Sequence, residues 1–282
     1  MTLGFNHLGN LGRLGNQMFE FATLRGIAAY HGYKICIPPE DHEGIENYSL
    51  HKCFKLDHIP TGFAPEKYVQ EPHFHFSEEL FYNCPDNVSL YGFFQTERYF
   101  VDIANTIRKD YTFHDDIMKP CKEFIDQFDG SEPIMLHVRR GDANLTDPRG
   151  FKWSYTQCSH QHPPQTIEYY DRALSHFDED QPVIVFSDSP EWVKEQDFFE
   201  DDRFMISEPQ EKYDDGSYTP YTDLCLMSLC SHAIIANSSM SWWGAWLQSN
   251  PNKKVVAPAN WYGPAYADKD LSDLYCKDWI VT

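Results

Sequence analysis

The chain has 282 residues, 41% hydrophobic and 16% aromatic, enough for one large or two medium domains with real cores. Its 23 Lys and Arg stand against 43 Asp and Glu, and the resulting charge of −20 argues against nucleic acid or an anionic membrane as partner. No stretch approaches the ~18–20 apolar residues of a membrane span. The first residues carry no basic segment followed by an apolar one, so no signal peptide is expected.

Eight cysteines (Cys36, Cys53, Cys84, Cys121, Cys158, Cys225, Cys230, Cys276) are scattered without a C-x-x-C pair, which points to reduced thiols. The glycosylation sequons at Asn47, Asn87, Asn144 and Asn237 are then expected to go unused, in a cytoplasmic protein with no transmembrane segment.

Residues 2–8 read as a first strand. The loop Gly9-Asn10-Leu11-Gly12-Arg13-Leu14-Gly15-Asn16 follows, and Met18, Phe21, Leu24 and Ala28 then recur at helical spacing, predicting a helix over 17–30 with Asn16 as N-cap. A glycine-rich turn opening a helix presents backbone N–H groups to an anion. The same turn also serves as a plain strand-to-helix connection, since it matches neither G-x-G-x-x-G nor a P-loop. A strand at 33–37 ends at Pro38-Pro39. Over 40–88 Pro, His and aromatic residues mix, with a strand at 67–70. His73 and His75 lack a carboxylate or cysteine at ligand spacing and read as surface histidines. A strand at 89–94 and a helix from about 96 to 109 precede an acidic connector over 115–132.

From Pro133 the pattern is regular. Strands at 134–138, 183–187, 203–207, 233–236 and 254–257 alternate with helices at 166–177, 190–197, 221–231 and 240–248. That alternation predicts parallel βαβ units with helices on both faces.

The polar chemistry collects at the strand ends. Strand 134–138 ends in His137 and Val138 and runs into Arg139-Arg140-Gly141-Asp142. Ligands of an open parallel sheet bind beyond the carboxyl ends of its strands, and arginine forks match phosphate oxygens, so the pair reads as a pyrophosphate grip. Its competitor is a pair of solvated charges. Arg140-Gly141-Asp142 is also an adhesion tripeptide, a weak signal at a strand end. Asp188, after strand 183–187, either accepts two N–H bonds from a guanine edge or, like Ser189, caps the following helix. Asn237-Ser238-Ser239 before Trp242-Trp243-Gly244-Ala245-Trp246 is either a second phosphate cradle or an N-cap with the tryptophans as core. Asp178-Glu179-Asp180 precedes a strand and reads as a solvated turn.

In their order, G-R-L-G-N-Q-M-F at 12–19, H-V-R-R-G-D at 137–142, F-S-D-x-P-x-W at 186–192 and N-S-S-x-S-W-W-G-A-W-L at 237–247 resemble the motifs of the α1,2-fucosyltransferases. The stretch Gly92 to Phe100 is similar to another segment of that family, and the resemblance runs from about Gly9 to Trp261. Departures stand at Arg13, Ala143 and Ser189. The H-x-R element is shared with α1,6- and protein-O-fucosyltransferases.

The resemblance implies an α/β fold of GT-B type, two Rossmann-like domains facing across a cleft, with an acceptor-side domain over 1–125 and a GDP-sugar-binding domain over 126–282. It implies GDP-L-fucose as donor, inverting transfer without a metal, and a galactose-terminated glycan whose 2-hydroxyl attacks. Arg139 would act on the β-phosphate with Arg140 close by. His137 and Asp188 would contact the guanosine half, and the Asn16 loop, Asn237, Ser238 and Ser239 the donor. Asp142 is open as catalytic base or as the group that holds the arginines, and a third possibility is that the departing phosphate takes the proton and no residue serves. The aromatics Phe74, Phe76, Phe81, Tyr82, Phe93 and Phe94 either stack a sugar or fill the core. A fucosyltransferase of other linkage or acceptor, and a non-catalytic sugar- or nucleotide-binding protein, are the alternatives. Since no ligand cluster is visible, EDTA is expected to leave turnover unchanged; activity lost on chelation and restored by Mn²⁺ would contradict this.

Overall fold

The computed structural model describes residues 1–42, 48–128, 130–141, 158–208 and 220–282. They form two compact units, Met1–Asp115 with Lys269–Lys277, and Asp116–Asp268 with Asp278–Thr282. The first unit runs to Asp115, and a late segment returns to it. Phe76 N donates to Asp273 Oδ2 at 2.8 Å, and Leu274 is buried. No local pattern announces a pairing over such a sequence distance.

The first unit contains β1 (Thr2–Gly4), α1 (Leu14–His31), β2 (Lys34–Cys36), α2 (Leu50–Cys53), β3 (Tyr68–Gln70), α3 (Glu78–Asn83), β4 (Val88–Tyr91) and α4 (Ala104–Asp110). Its four strands are parallel in the order β2-β1-β4-β3. The order reverses between β1 and β4, so the loops leaving these two strands flank the switch point where such sheets take ligands.

Helix α1 starts earlier than the apolar spacing predicts. Asn16 N and Gln17 N both donate to the Arg13 carbonyl, which makes Arg13 the N-cap and places Asn16 inside the first turn. Burial nearly all round, including Gln17, Glu20 and Thr23, blurs the amphipathic signal at this end. At the other end Gly32, at φ 68°, lets its N–H close on the carbonyls of Ala28 and Ala29 and stops the helix.

The second unit holds α5 (Asp115–Ile125), β5 (Ile134–Val138), α6 (Ile167–Leu174), β6 (Val183–Ser187), α7 (Pro190–Lys194), β7 (Phe204–Ile206), α8 (Tyr221–Leu229), β8 (His232–Ile234), α9 (Ser239–Leu247), β9 (Val255–Ala257) and β10 (Ile280–Val281). The expected acidic connector is therefore largely helical in α5. Ile117, Cys121, Phe124 and Ile125 lie on one helical stripe, a signal hidden by the acidic neighbours and by Pro120. All six strands are parallel, in the order β10-β9-β8-β5-β6-β7. Counted from β5 this is the 3-2-1-4-5-6 order of a Rossmann sheet, with its switch point between β5 and β8.

Alternation along β5 sorts its two faces. Ile134, Leu136 and Val138 pack with Tyr169, Tyr170 and Ala173 of α6 and with Val183 and Val185 of β6. Met135 points the other way, where its sulfur lies beside Gly244 of α9. Helices thus cover both faces, as the βαβ pattern predicts. Trp242 and Trp243 are fully buried and Trp246 nearly so, so these rings are core.

Gly26 shows how closely α1 is packed. A Cβ there would sit 1.8 Å from the Tyr99 carbonyl oxygen and 2.8 Å from its carbon. Gly26→Ala gains about 1 kcal/mol of helix propensity, yet the backbone must move, at a cost of about 1–3 kcal/mol or more for overpacking. A net loss of stability is expected in chemical denaturation; a midpoint at or above the parent's would refute that close approach.

Candidate functional site

The register of β5 on β6 builds the centre of the site. Ile134 pairs with Val183 and Val138 with Ser187, so one further step along both strands brings Arg139 beside Asp188. The carboxylate Oδ2 lies 2.9 Å from Arg139 Nη1, and Oδ1 accepts the Arg140 backbone N–H at 3.0 Å. Asp188 is thus turned onto the end of β5. It does not cap α7, whose N-cap Ser189 makes no side-chain cap bond either; Ser189 N instead donates to Ser187 Oγ at 2.9 Å.

The two arginines diverge. Arg139 is held by the carboxylate, with 23% of its side chain exposed. Arg140 lies with its guanidinium carbon 3.9 Å from the centroid of the Trp192 ring, a cation–π contact on α7. Gly141 follows at φ 87°, a left-handed conformation that turns the chain out of the strand. Asp142, the candidate base, lies outside the described residues.

His137 is buried. The Tyr170 hydroxyl donates to its carbonyl at 3.2 Å, while its Nδ1 has no hydrogen-bond partner. Burial first, and the Arg139 charge second, push its pKa down to about 3, so the imidazole is neutral at working pH. His162 is shifted downward by the same two causes and stands near the rings of Tyr262 and Tyr266.

Beyond β8, Ser238 is the N-cap of α9 in an extended conformation, and no side-chain cap bond closes the first turn. The capping alternative for its hydroxyl is therefore not what the structure adopts. A half-buried serine pair stands at an uncapped helix start, an arrangement suited to an anion. Asn237 behaves differently. Its Nδ2 donates to the carbonyls of Pro163 and Trp261 at 2.9 and 3.0 Å, and its Oδ1 accepts from Gln165 Nε2 at 3.2 Å. It is a buried brace between loops.

In the first unit Asn16 Oδ1 accepts from Gln95 Nε2 at 2.9 Å. Of the aromatics proposed for a sugar, Phe76, Phe81 and Phe94 are core, whereas Tyr82 and Phe93 are exposed. The rings of His73 and His75 stack at 3.6 Å, and His75 Nδ1 lies 3.9 Å from Asp270 of the returning segment, so they are partly packed. Asp178, Glu179 and Asp180 form an exposed turn as expected. No disulfide joins the cysteines among the described residues. Among the described residues no group of three or more His, Cys, Asp and Glu side chains could hold a metal ion, and no helix is long and apolar enough to cross a membrane.

Sequence reasoning missed His162, Gln165 and Tyr170 as neighbours of the motif residues. Tyr170 carried a signal only as an apolar helix position, His162 and Gln165 carried none, and Trp192 stood in the 186–192 motif without a partner assigned to it.

Two all-parallel sheets, one of Rossmann order with an arginine and a helix start at its switch point, define an α/β fold of GT-B type. Among solved structures, the fucosyltransferase NodZ from Bradyrhizobium shares the fold at TM-score 0.53, 11% identical, over 86% of this chain and 91% of that one. The model of Glycosyl transferase family 11 matches residues 3–282, and the chain belongs to that family. An α-1,2-colitosyltransferase of Escherichia coli is 28% identical over 89% of this chain and 90% of its own length. The human galactoside α-(1,2)-fucosyltransferase 1 is 28% identical over 84% of this chain, which spans 63% of that enzyme.

The buried imidazole has a pH signature. Its folded pKa of about 3 lies below the ordinary 6.5, so between these values the unfolded chain binds a proton that the folded one excludes. Stability therefore falls as pH drops from 6.5 towards 3, by up to about 1.4 kcal/mol per pH unit for this one group. Urea unfolding of the wild type and of His137→Gln across that range is expected to show the shallower pH dependence in the variant; parallel curves would refute the assignment.

Proposed function

We propose that the chain transfers L-fucose from GDP-β-L-fucose to the 2-hydroxyl of a terminal galactose in a glycan, with inversion at the sugar carbon. The reading is carried by Arg139, fixed by Asp188 at the switch point of the Rossmann-ordered sheet. Family membership and the α-1,2 linkage in the names of both relatives support it.

As the bond from C1 to GDP breaks, negative charge grows on the β-phosphate. A guanidinium carries five N–H donors, and the ion pair with Asp188 holds this one at the end of β5. Pre-set charge of this kind needs little reorganisation when the charge develops. In this reading Ser238, Ser239 and the start of α9 receive the diphosphate. His137 presents a neutral imidazole to the guanosine half, which gives its unpartnered Nδ1 a use. Arg140 adds positive potential from its seat on Trp192, Asp188 positions Arg139, and Asn237 shapes the loop before α9. Asn16 and its glycine loop complete the donor contacts. The acceptor proton passes to Asp142 or to the departing phosphate, and no metal takes part.

The second reading keeps the linkage and changes the sugar, because the Escherichia coli relative is a colitosyltransferase. Turnover of GDP-fucose against a panel of β-galactosides, with the product linkage read by NMR, is the deciding experiment. An α1,2-fucosylated product is expected; turnover only with a colitosyl donor favours the second reading, and binding without turnover makes the protein a binder. Arg139→Ala is expected to lower kcat by about 10²–10³, and a near-wild-type kcat would refute its role.

A further inference from the structure

In the first unit the first turn of α1, which follows the loop leaving β1, is joined side chain to side chain to the loop leaving β4. Gln95 Nε2 donates to Asn16 Oδ1 at 2.9 Å. The Asn16 amide in turn lies against Gly12. That residue has φ 74°, and a Cβ on it would come within 2.1 Å of Asn16 Nδ2. Asn16 thus touches the glycine loop on one side and the β4 loop on the other.

Gln95 is aimed by its own backbone. Glu71, just after β3, accepts the Phe93 N–H on Oε2 at 2.8 Å and the Phe94 N–H on Oε1 at 2.9 Å, while its own N–H donates to the Tyr91 carbonyl. The carboxylate occupies the space beside Gly92, where a Cβ would lie 2.4 Å from Glu71 Cβ, at a φ of 150°. Phe94 follows at φ 51°, a left-handed conformation unusual for a phenylalanine, with its ring fully buried. A non-glycine residue holds such a conformation only where its surroundings over-determine it, and here the clamp and the core do so together. The consequence is a reversal that exposes Phe93, buries Phe94 and turns Gln95 back towards Asn16.

We propose that Gln95 and Glu71 are positioning residues for donor use: Glu71 sets the 92–95 turn, and Gln95 through that turn holds the Asn16 carboxamide and the glycine loop in their working orientation. The inference rests on the reading of Asn16 as a donor-contacting residue. Neither Gln95 nor Glu71 needs to touch the donor. Their effect passes through the acceptor oxygen of Asn16, which leaves its NH₂ group oriented for a ligand oxygen.

The test is a double-mutant cycle on GDP-fucose turnover, with Asn16→Ala, Gln95→Met and the two combined, read as kcat and KM for donor and acceptor separately and accompanied by a thermal melt of each protein. Gln95→Met keeps length and packing and removes the donor group. It is expected to lower kcat/KM for the donor roughly tenfold, the scale of a small misplacement at a reacting centre, with the acceptor KM and the melting temperature unchanged. The double variant is expected to be no worse than Asn16→Ala alone. Glu71→Gln, which replaces one acceptor oxygen with a donor facing a backbone N–H, is expected to move the same parameters in the same direction, and it tests the clamp if Gln95→Met does not fold. Wild-type turnover by Asn16→Ala would sink the donor reading of Asn16 itself. An impaired Asn16→Ala beside an unimpaired Gln95→Met, or losses that multiply in the double variant, would overturn the positioning role while leaving that reading intact.

Discussion

The second unit depends on a pairing set by strand register. Once Val138 lies opposite Ser187, the residues that follow must be neighbours, and they are Arg139 and Asp188. A slip by one residue would turn every side chain of β5 to the other face and separate the cation from its carboxylate. The apolar alternation that packs Leu136 and Val138 on α6 therefore also orients the guanidinium. Core packing and charge placement are consequences of the same hydrogen-bonded ladder.

An arginine already paired to a carboxylate is a more useful phosphate ligand than a mobile one. In the proposed reading such a pair would lose little conformational freedom on binding a diphosphate. Arg140 reaches a comparable fixity by another route, through the face of Trp192, and its backbone N–H is tied to the same Asp188. The neutral state of His137 belongs to this economy of charge. Burial first, and repulsion from Arg139 second, keep its proton off. The first unit shows a related chain of contacts at its own switch point: Glu71 fixes a turn, the turn aims Gln95, and Gln95 meets Asn16.

Parts of this were legible without coordinates. Strands 134–138 and 183–187 end where the apolar runs end, because a strand buried on both faces has to be apolar along its length. The family could be recognised from motifs at 12–19, 137–142, 186–192 and 237–247, and their order along the chain was more informative than any one of them. Other parts were not legible. Asn16 looked like a cap because its residue type favours caps, yet the Arg13 carbonyl closes the turn and releases its side chain. Asn237 looked like a ligand residue, yet both ends of its amide brace neighbouring loops. Helix α5 was hidden by Pro120 and a run of acids, and the return of Lys269–Lys277 to the first unit had no local signature at all.

The amino-acid sequence by itself determined the βαβ alternation, the family and the residue types at each strand end, because hydrophobic period and motif order are properties of the chain read locally. Only the tertiary structure decided which partner each polar side chain takes. Asp188 turns to Arg139 and not to a helix start, Arg140 to Trp192, and Asn16 to Gln95. Those choices are made between residues distant in sequence, where strand order and register, and not local propensity, set what can come within hydrogen-bonding reach.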